Sequence, residues 1–291
     1  MIKWHSCNGA IKIKDLTDFD PIHTFDCGQC FRWTRLENGN WRGIVRGIPV
    51  EVSWDGRDLT FYDTTEEIFL KVWYPYFDLG RDYGEIKRIL TADDPVMARA
   101  IAFGEGMRLL RQDFDETLIS FIISQNNGIP RIKKIIESLC THFGEPIQYH
   151  DNTCYTFPSM ARLGGLTDEE IRAVRAGYRD KYILKAARQM TDKLVDVCHL
   201  ESCSTDEARK AMLQLSGVGP KVCDCILLFA GVKYDVFPVD RWVSRVMAEL
   251  YLGYEAGYDE LTDFAHKRFG PLTGFAQQYL FYYARAHRIG L

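Results

Sequence analysis

Between residues 29 and 62 apolar side chains come in short runs separated by turn signals. Gln29 to Leu36 is rich in aromatic and branched residues, and Glu37-Asn38-Gly39-Asn40 follows as a hairpin turn. Trp41 to Val52 continues the pattern with a bend at Arg46-Gly47, and Trp54-Asp55-Gly56-Arg57 turns the chain into Leu59 to Tyr62. These spacings predict a small antiparallel meander. A helix opened by Thr64 or Thr65, with Glu66 and Glu67 in its first turn, would cover its apolar face.

From about residue 84 the period becomes helical. Asp113 to Ser124 places apolar residues at 114, 118, 121 and 122. Asn126-Asn127-Gly128 interrupts the pattern, and Ile129 to Phe143 forms the next helix with Pro130 in its first turn. Residues 144–166 read mostly as loop. Further helices are predicted after Thr167, over Lys181–Lys193, after a Thr205 cap, over Pro220–Ala230, over Asp240–Tyr251 and over Thr273–His287. The fold class expected is α+β, an N-terminal antiparallel sheet followed by a mainly helical body.

Composition adds limits. The 291 residues are 46% hydrophobic and 26% charged, the balance of a folded protein with a real core. No stretch reaches the 18 or so apolar residues that cross a bilayer, and no export signal opens the chain, so a cytoplasmic protein is expected. Nine cysteines, at 7, 27, 30, 140, 154, 198, 203, 223 and 225, lack the spacing of a disulfide scaffold and read as small buried hydrophobes. Cys27 and Cys30 could begin a metal site, but neither Cys198/Cys203 nor Cys223/Cys225 combines the usual thiolate-hairpin spacing with a clear context to complete it. No metal held by side chains is expected.

The net charge of −4 argues against nucleic acid only until it is resolved by region. Residues 171–193 hold seven Lys/Arg against two acids, and residues 51–70 hold one Arg against six acids. One basic face can therefore grip phosphates while the sum stays negative.

The most informative segment is Leu215-Ser216-Gly217-Val218-Gly219-Pro220-Lys221, between two amphipathic helices. Gly217 and Gly219 let the backbone turn tightly, and the amides opening the second helix can meet a phosphate. Alone, such a loop is also an ordinary helix–turn–helix corner. Lys221 is either a phosphate or solvent contact, or an amine desolvated between helices and able to attack an electrophilic carbon. Nineteen residues on, Asp240 follows Val236-Phe237-Pro238-Val239, where it can cap a helix, stabilise a cationic centre, or do both.

Residues 205–251 resemble the helix-hairpin-helix (HhH-GPD) DNA glycosylase superfamily, and nearly the whole chain is similar to its 8-oxoguanine DNA glycosylase/lyase branch. Gly28-Gln29-x-Phe31-Arg32-Trp33 resembles that family's lesion-pocket motif, and Ser120 to Asn127 with Arg131 resembles its opposite-base segment. Gly177-Tyr178-Arg179-x-Lys181-Tyr182 looks like its wedge loop, and Gly274-Phe275-Ala276-Gln277-x3-Phe281 like its C-terminal pocket helix. The resemblance implies a TBP-like N-terminal domain over 1–108 and a catalytic region of two lobes over 109–291, with the helix-hairpin-helix at about 205–230.

It also implies roles. Lys221 would attack the anomeric carbon and Asp240 would support the developing charge. Gly28, Phe31, Cys225, Pro238, Gln277 and Phe281 would line the lesion pocket; Asn126, Arg131 and Arg179 would read the opposite cytosine; and Tyr178 would fill the vacated stack. Gly217, Val218, Gly219 and Trp242 would meet the DNA backbone. Trp242 stands where family members typically carry a histidine for phosphate contact; Arg241, His266 and His287 are the available substitutes. No cofactor is required, although hairpin carbonyls could hold a structural cation. The partner implied is double-stranded DNA containing 8-oxoguanine, bound by a monomer at the nucleoid of a prokaryote. The alternatives are a glycosylase for another damaged purine and a non-catalytic DNA-binding protein using the hairpin for backbone contact.

Overall fold

The structure, a computed structural model, describes residues 2–290; Met1 and Leu291 lie outside the described residues. Six strands form one antiparallel sheet: β1 (Lys3–Cys7), β2 (Ala10–Lys14), β3 (Trp33–Arg35), β4 (Trp41–Val45), β5 (Ile48–Trp54) and β6 (Leu59–Phe61). Their order is β1-β2-β6-β5-β4-β3. The Arg46-Gly47 bend is a two-residue turn with both residues at positive φ, and it sets Val45 opposite Ile48. Thr65 caps the helix that follows, accepting the amide of Ile68 at 3.2 Å. The face between sheet and helix is packed with aromatics, including Phe25 stacked on Trp33 at 4.1 Å.

Two features differ from the sequence expectation. The β1–β2 hairpin was not anticipated. Its Asn8-Gly9 turn has both residues at positive φ, the strongest short hairpin signal, but β1 is exposed along almost its whole length and carries no apolar alternation. The strand expected over 29–36 is confined to residues 33–35. Gln29 is the reason: its Nε2 donates to the carbonyls of Thr24 (2.8 Å) and Arg108 (2.7 Å), and its Oε1 accepts the amide of Leu110 (2.9 Å). The segment is thereby tied to residues 106–112 instead of to the sheet, and Phe31 points into the helical core.

The second core belongs to the helices and includes those over Tyr83–Thr91 and Pro95–Phe103. At its centre runs Pro220–Phe229, buried from Val222 to Phe229. Fully buried Asp224 is satisfied by Arg209 Nε at 2.8 Å and the hydroxyl of Tyr258 at 2.7 Å, locking this helix to two neighbours. The helices Phe114–Ser124, Ile129–Phe143 and Thr273–His287 form as the periodicity predicts. The Thr167–Glu170 capping box is present, whereas the helix Thr205–Met212 is capped by Ser204 with Glu207. Thr205 instead bonds Asp235 at 2.7 Å. Residues 144–166 include a small hairpin, Pro146–Tyr149 with Asn152–Tyr155. No helix among the described residues is long and apolar enough to cross a membrane.

Candidate active site

Lys221 occupies the first turn of Pro220–Phe229, directly after the glycine hairpin. Gly217 takes φ +82°, and a Cβ there would stand 2.7 Å from Tyr182 Cβ, so both conformation and packing require glycine. A Cβ on Gly219 would meet nothing within 4 Å, so this point of the hairpin faces open space beside the first free amides of the helix. Val218 is buried, and its amide donates to the Leu215 carbonyl at 3.2 Å. Gln125 pins the hairpin from outside, donating Nε2 to the Gly217 carbonyl at 2.9 Å. Among the described residues no cluster of His, Cys, Asp or Glu could hold a metal ion.

Asp240 caps the helix Arg241–Met247: its Oδ1 accepts the amides of Trp242 and Val243, each at 2.9 Å. Lys221 and Asp240, 19 residues apart, face one cavity of about 120 Å³. Gly28, Phe31, Cys225, Gln277 and Phe281 line it too, so five expected pocket residues from three separate segments converge. Pro238, the sixth residue expected there, is not part of the lining; its carbonyl accepts Gln277 Nε2 at 3.0 Å and so holds a lining residue from outside.

The cavity's polarity is specific. Gln277 is 4% exposed, and its Oε1 is buried without a partner. The Gly28 carbonyl accepts no hydrogen bond from the described residues. Gly28 adopts φ +97°, and a Cβ there would collide with Arg285 (2.9 Å) and press on Phe281 (3.2 Å). Two acceptors without partners therefore belong to residues that line the cavity between apolar walls. Lys221 Nζ sits 5.4 Å from the centroid of the Phe121 ring. Burial pushes the Cys225 thiol up to about 11, with Lys221 pulling the other way, so Cys225 is a neutral wall residue near neutral pH.

Beyond the cavity mouth lies an open groove of about 1740 Å³, lined by Asn126, Arg131, Tyr178, Gly219, Lys221, Asp240 and Trp242 among others. Asn126 interrupts the chain at φ +48°, and its side chain, like that of Arg131, is exposed. Tyr178 is 56% exposed and donates its hydroxyl to the Gln125 carbonyl at 3.3 Å. Arg179 is placed differently. It is 4% exposed, lies outside the groove lining, and donates to the carbonyls of Gln125, Asn126 (3.1 Å) and Ala176 (3.1 Å). It shapes the Asn126 turn from beneath. Trp242 lines the groove with the Arg245 guanidinium 5.6 Å from its ring centroid. Arg241 also lines the groove; His266 and His287 do not, and His287 packs on Phe103 and Tyr283.

Several contributors were not singled out from sequence. Phe121 and Phe229 stack at 5.2 Å to form a wall, and Ser124, Asn127, Ile129, Ile132 and Gln278 complete the lining; Phe121, Ser124 and Asn127 lie in the Ser120–Asn127 segment but had no pocket role there. The aromatics carried only the helical period of core residues. Gln125 lay within the segment already singled out, but its bond to a hairpin 92 residues away left no sequence signal.

Two family models match the chain: "8-oxoguanine DNA glycosylase, N-terminal domain" over residues 11–118, and "HhH-GPD superfamily base excision DNA repair protein" over residues 119–271. A probable N-glycosylase/DNA lyase of Methanothermobacter thermautotrophicus is 30% identical over 297 residues, spanning 92% of this chain and 94% of that one. The 8-oxoguanine glycosylase/lyase of Clostridium acetobutylicum, solved with double-stranded DNA containing cytosine opposite 8-oxoG, is 42% identical. It superposes with a TM-score of 0.94 over 99% of both chains. MBOgg1, solved with a low-affinity DNA ligand, is 44% identical with a TM-score of 0.96 over 99% of both chains.

Proposed function

The chain belongs to the HhH-GPD superfamily of base excision DNA repair proteins, in its 8-oxoguanine DNA glycosylase branch, and from that premise we propose how its residues act on DNA. It is a DNA N-glycosylase and DNA lyase of 8-oxoguanine repair. Our reading is that it excises 8-oxoguanine opposite cytosine and cleaves the strand through a Schiff base on Lys221.

The observation that carries this reading is the shared cavity, where Lys221, Asp240 and two unpartnered acceptors, Gln277 Oε1 and the Gly28 carbonyl, meet. Inside a stacked duplex the anomeric carbon is out of reach of a lysine, so the damaged nucleotide rotates out of the helix. Tyr178 fills the gap by stacking, which any neighbouring base permits. In the cavity the Gly28 carbonyl accepts the N7–H that guanine lacks, and Gln277 Oε1 accepts a donor of the Watson–Crick edge. Phe281 and Cys225 cover the two faces. On the intact strand Asn126 and Arg131 present donors to the O2 and N3 acceptors of cytosine.

The neutral Lys221 amine attacks C1′. The C1′–N9 bond breaks, its electron pair leaves with the base, and the base takes up the proton that the newly bonded Lys221 nitrogen gives up. Asp240 stabilises the positive charge that builds on the sugar. Opening of the sugar ring gives an iminium. Loss of a C2′ proton then drives out the 3′ phosphate as the C3′–O bond breaks, and hydrolysis frees Lys221. An amine is essential here, and Lys221 supplies it, because water forms no iminium. Borohydride reduction tests the scheme: it should trap a covalent adduct with an 8-oxoguanine:cytosine duplex, absent from Lys221→Ala. DNA binding without any adduct would overturn it.

A further inference from the structure

We infer that Arg285 is a specificity-determining positioning residue, the clamp that sets the Gly28 carbonyl and the Phe281 ring against the base. The inference rests on the role proposed above for Gly28. Discrimination by a single backbone carbonyl demands that its peptide be fixed, yet Gly28 is a glycine in a non-helical, non-strand segment. Glycine confers no stiffness of its own. Something outside the segment must hold it.

The helix Thr273–His287 does so at three points. Tyr282 Oη and His23 Nδ1 are 3.1 Å apart, Gln278 Nε2 donates to the Cys27 carbonyl at 3.4 Å, and Arg285 Nη2 donates to the Asp26 carbonyl at 2.8 Å. Of these, the Arg285 contact is the short one made by a charged donor, the stronger kind. The rest of the guanidinium lies behind the cavity wall, against Phe281 and Gly28. Its centre lies 5.4 Å from the Phe281 ring centroid, and Nη1 is 2.9 Å from where a Gly28 Cβ would stand. Nη1 is also buried without a partner. A buried guanidinium nitrogen in that state is unfavourable for stability alone, so a requirement of the pocket explains its retention better than packing does.

One side chain therefore touches both recognition groups from behind while staying outside the cavity lining. Arg285 acts through Gly28 and Phe281, and only on the step that recognises the base. Elimination at a preformed abasic site has no base to recognise.

The test compares single-turnover release of 8-oxoguanine with strand cleavage of an abasic-site duplex, in wild type and Arg285→Met. The ratio of the two rates should fall by about ten- to a hundredfold in the variant, the scale on which small misplacements of a binding group act. A lowered Tm with an unchanged ratio would mean Arg285 is only structural and would overturn the inference. Arg285→Lys, which keeps the stem and charge, carries the same comparison if the methionine variant does not fold. Wild-type enzyme that cleaves abasic DNA but releases no 8-oxoguanine would instead remove the underlying reading of the pocket, and this inference with it.

Discussion

Gln277 donates its amide nitrogen to the carbonyl of Pro238 at 3.0 Å, and this bond leaves the amide oxygen as the free end of a side chain that lines the cavity. The amide oxygen is turned inward, buried and unpartnered. Gln277→Leu should keep the volume but remove that acceptor. Its kcat/KM for 8-oxoguanine release should fall by about ten- to a hundredfold, the value of one buried hydrogen bond. Cleavage of an abasic duplex should fall far less. Equal loss in both assays would assign Gln277 to the fold.

Asp240 combines two jobs that one substitution can separate. Its Oδ1 caps the helix Arg241–Met247, and its charge faces the cavity with Lys221. Asparagine is as good a helix cap as aspartate, so Asp240→Asn should leave thermal stability almost unchanged. Base release should drop by about a hundredfold or more, because the stabilising charge is gone. Asp240→Ala should also lose about 0.5–2 kcal/mol of stability. Similar activity in Asp240→Asn and wild type would reduce the residue to a cap.

The buried thiols set an alkaline limit. Burial holds Cys225 at about 11 and both Cys140 and Cys223 at about 12, above the ordinary thiol range. The native state keeps these protons while the unfolded chain loses them, so their contribution is complete below about pH 8.5 and lost as pH rises through the folded values. Each thiol steepens the decline by at most about 1.4 kcal/mol per pH unit. Denaturant titrations between pH 8 and 11 should show falling stability, and Cys225→Ala should flatten the slope. A slope identical to wild type would show that Cys225 ionises alike in both states.

How far the sequence reaches is clearest from these same residues. Lys221, Asp240, Gly28, Gln277 and Phe281 were legible because each sits in a short motif whose residue types carry the chemistry. Their convergence was not, since spacing is silent on how four segments meet. The wall aromatics Phe121 and Phe229 were hidden because a pocket wall and a core share one helical period. The β1–β2 hairpin was missed for the opposite reason, an exposed strand without alternation. Arg179 shows another limit: the resemblance implies a base reader, while its burial rests on the Ala176 carbonyl of its own loop and on the Gln125 and Asn126 carbonyls more than 50 residues away, which leave no mark on the local sequence.

That placement separates two arginines to which the resemblance gives one role. Arg131 is exposed in the groove, so Arg131→Ala should leave stability within about 0.5 kcal/mol of wild type. It should narrow the rate difference between duplexes with cytosine and with adenine, guanine or thymine opposite 8-oxoguanine. Arg179→Ala should act on both properties. It strips donors from the carbonyls of Gln125, Asn126 and Ala176, at a cost of about 1–3 kcal/mol. The Asn126 turn should then loosen and weaken discrimination as well. Denaturant unfolding beside a panel of four opposite bases distinguishes the pair. An Arg179→Ala enzyme of full stability and relaxed selectivity would mean that the guanidinium leaves its carbonyls and reads the base directly when DNA binds.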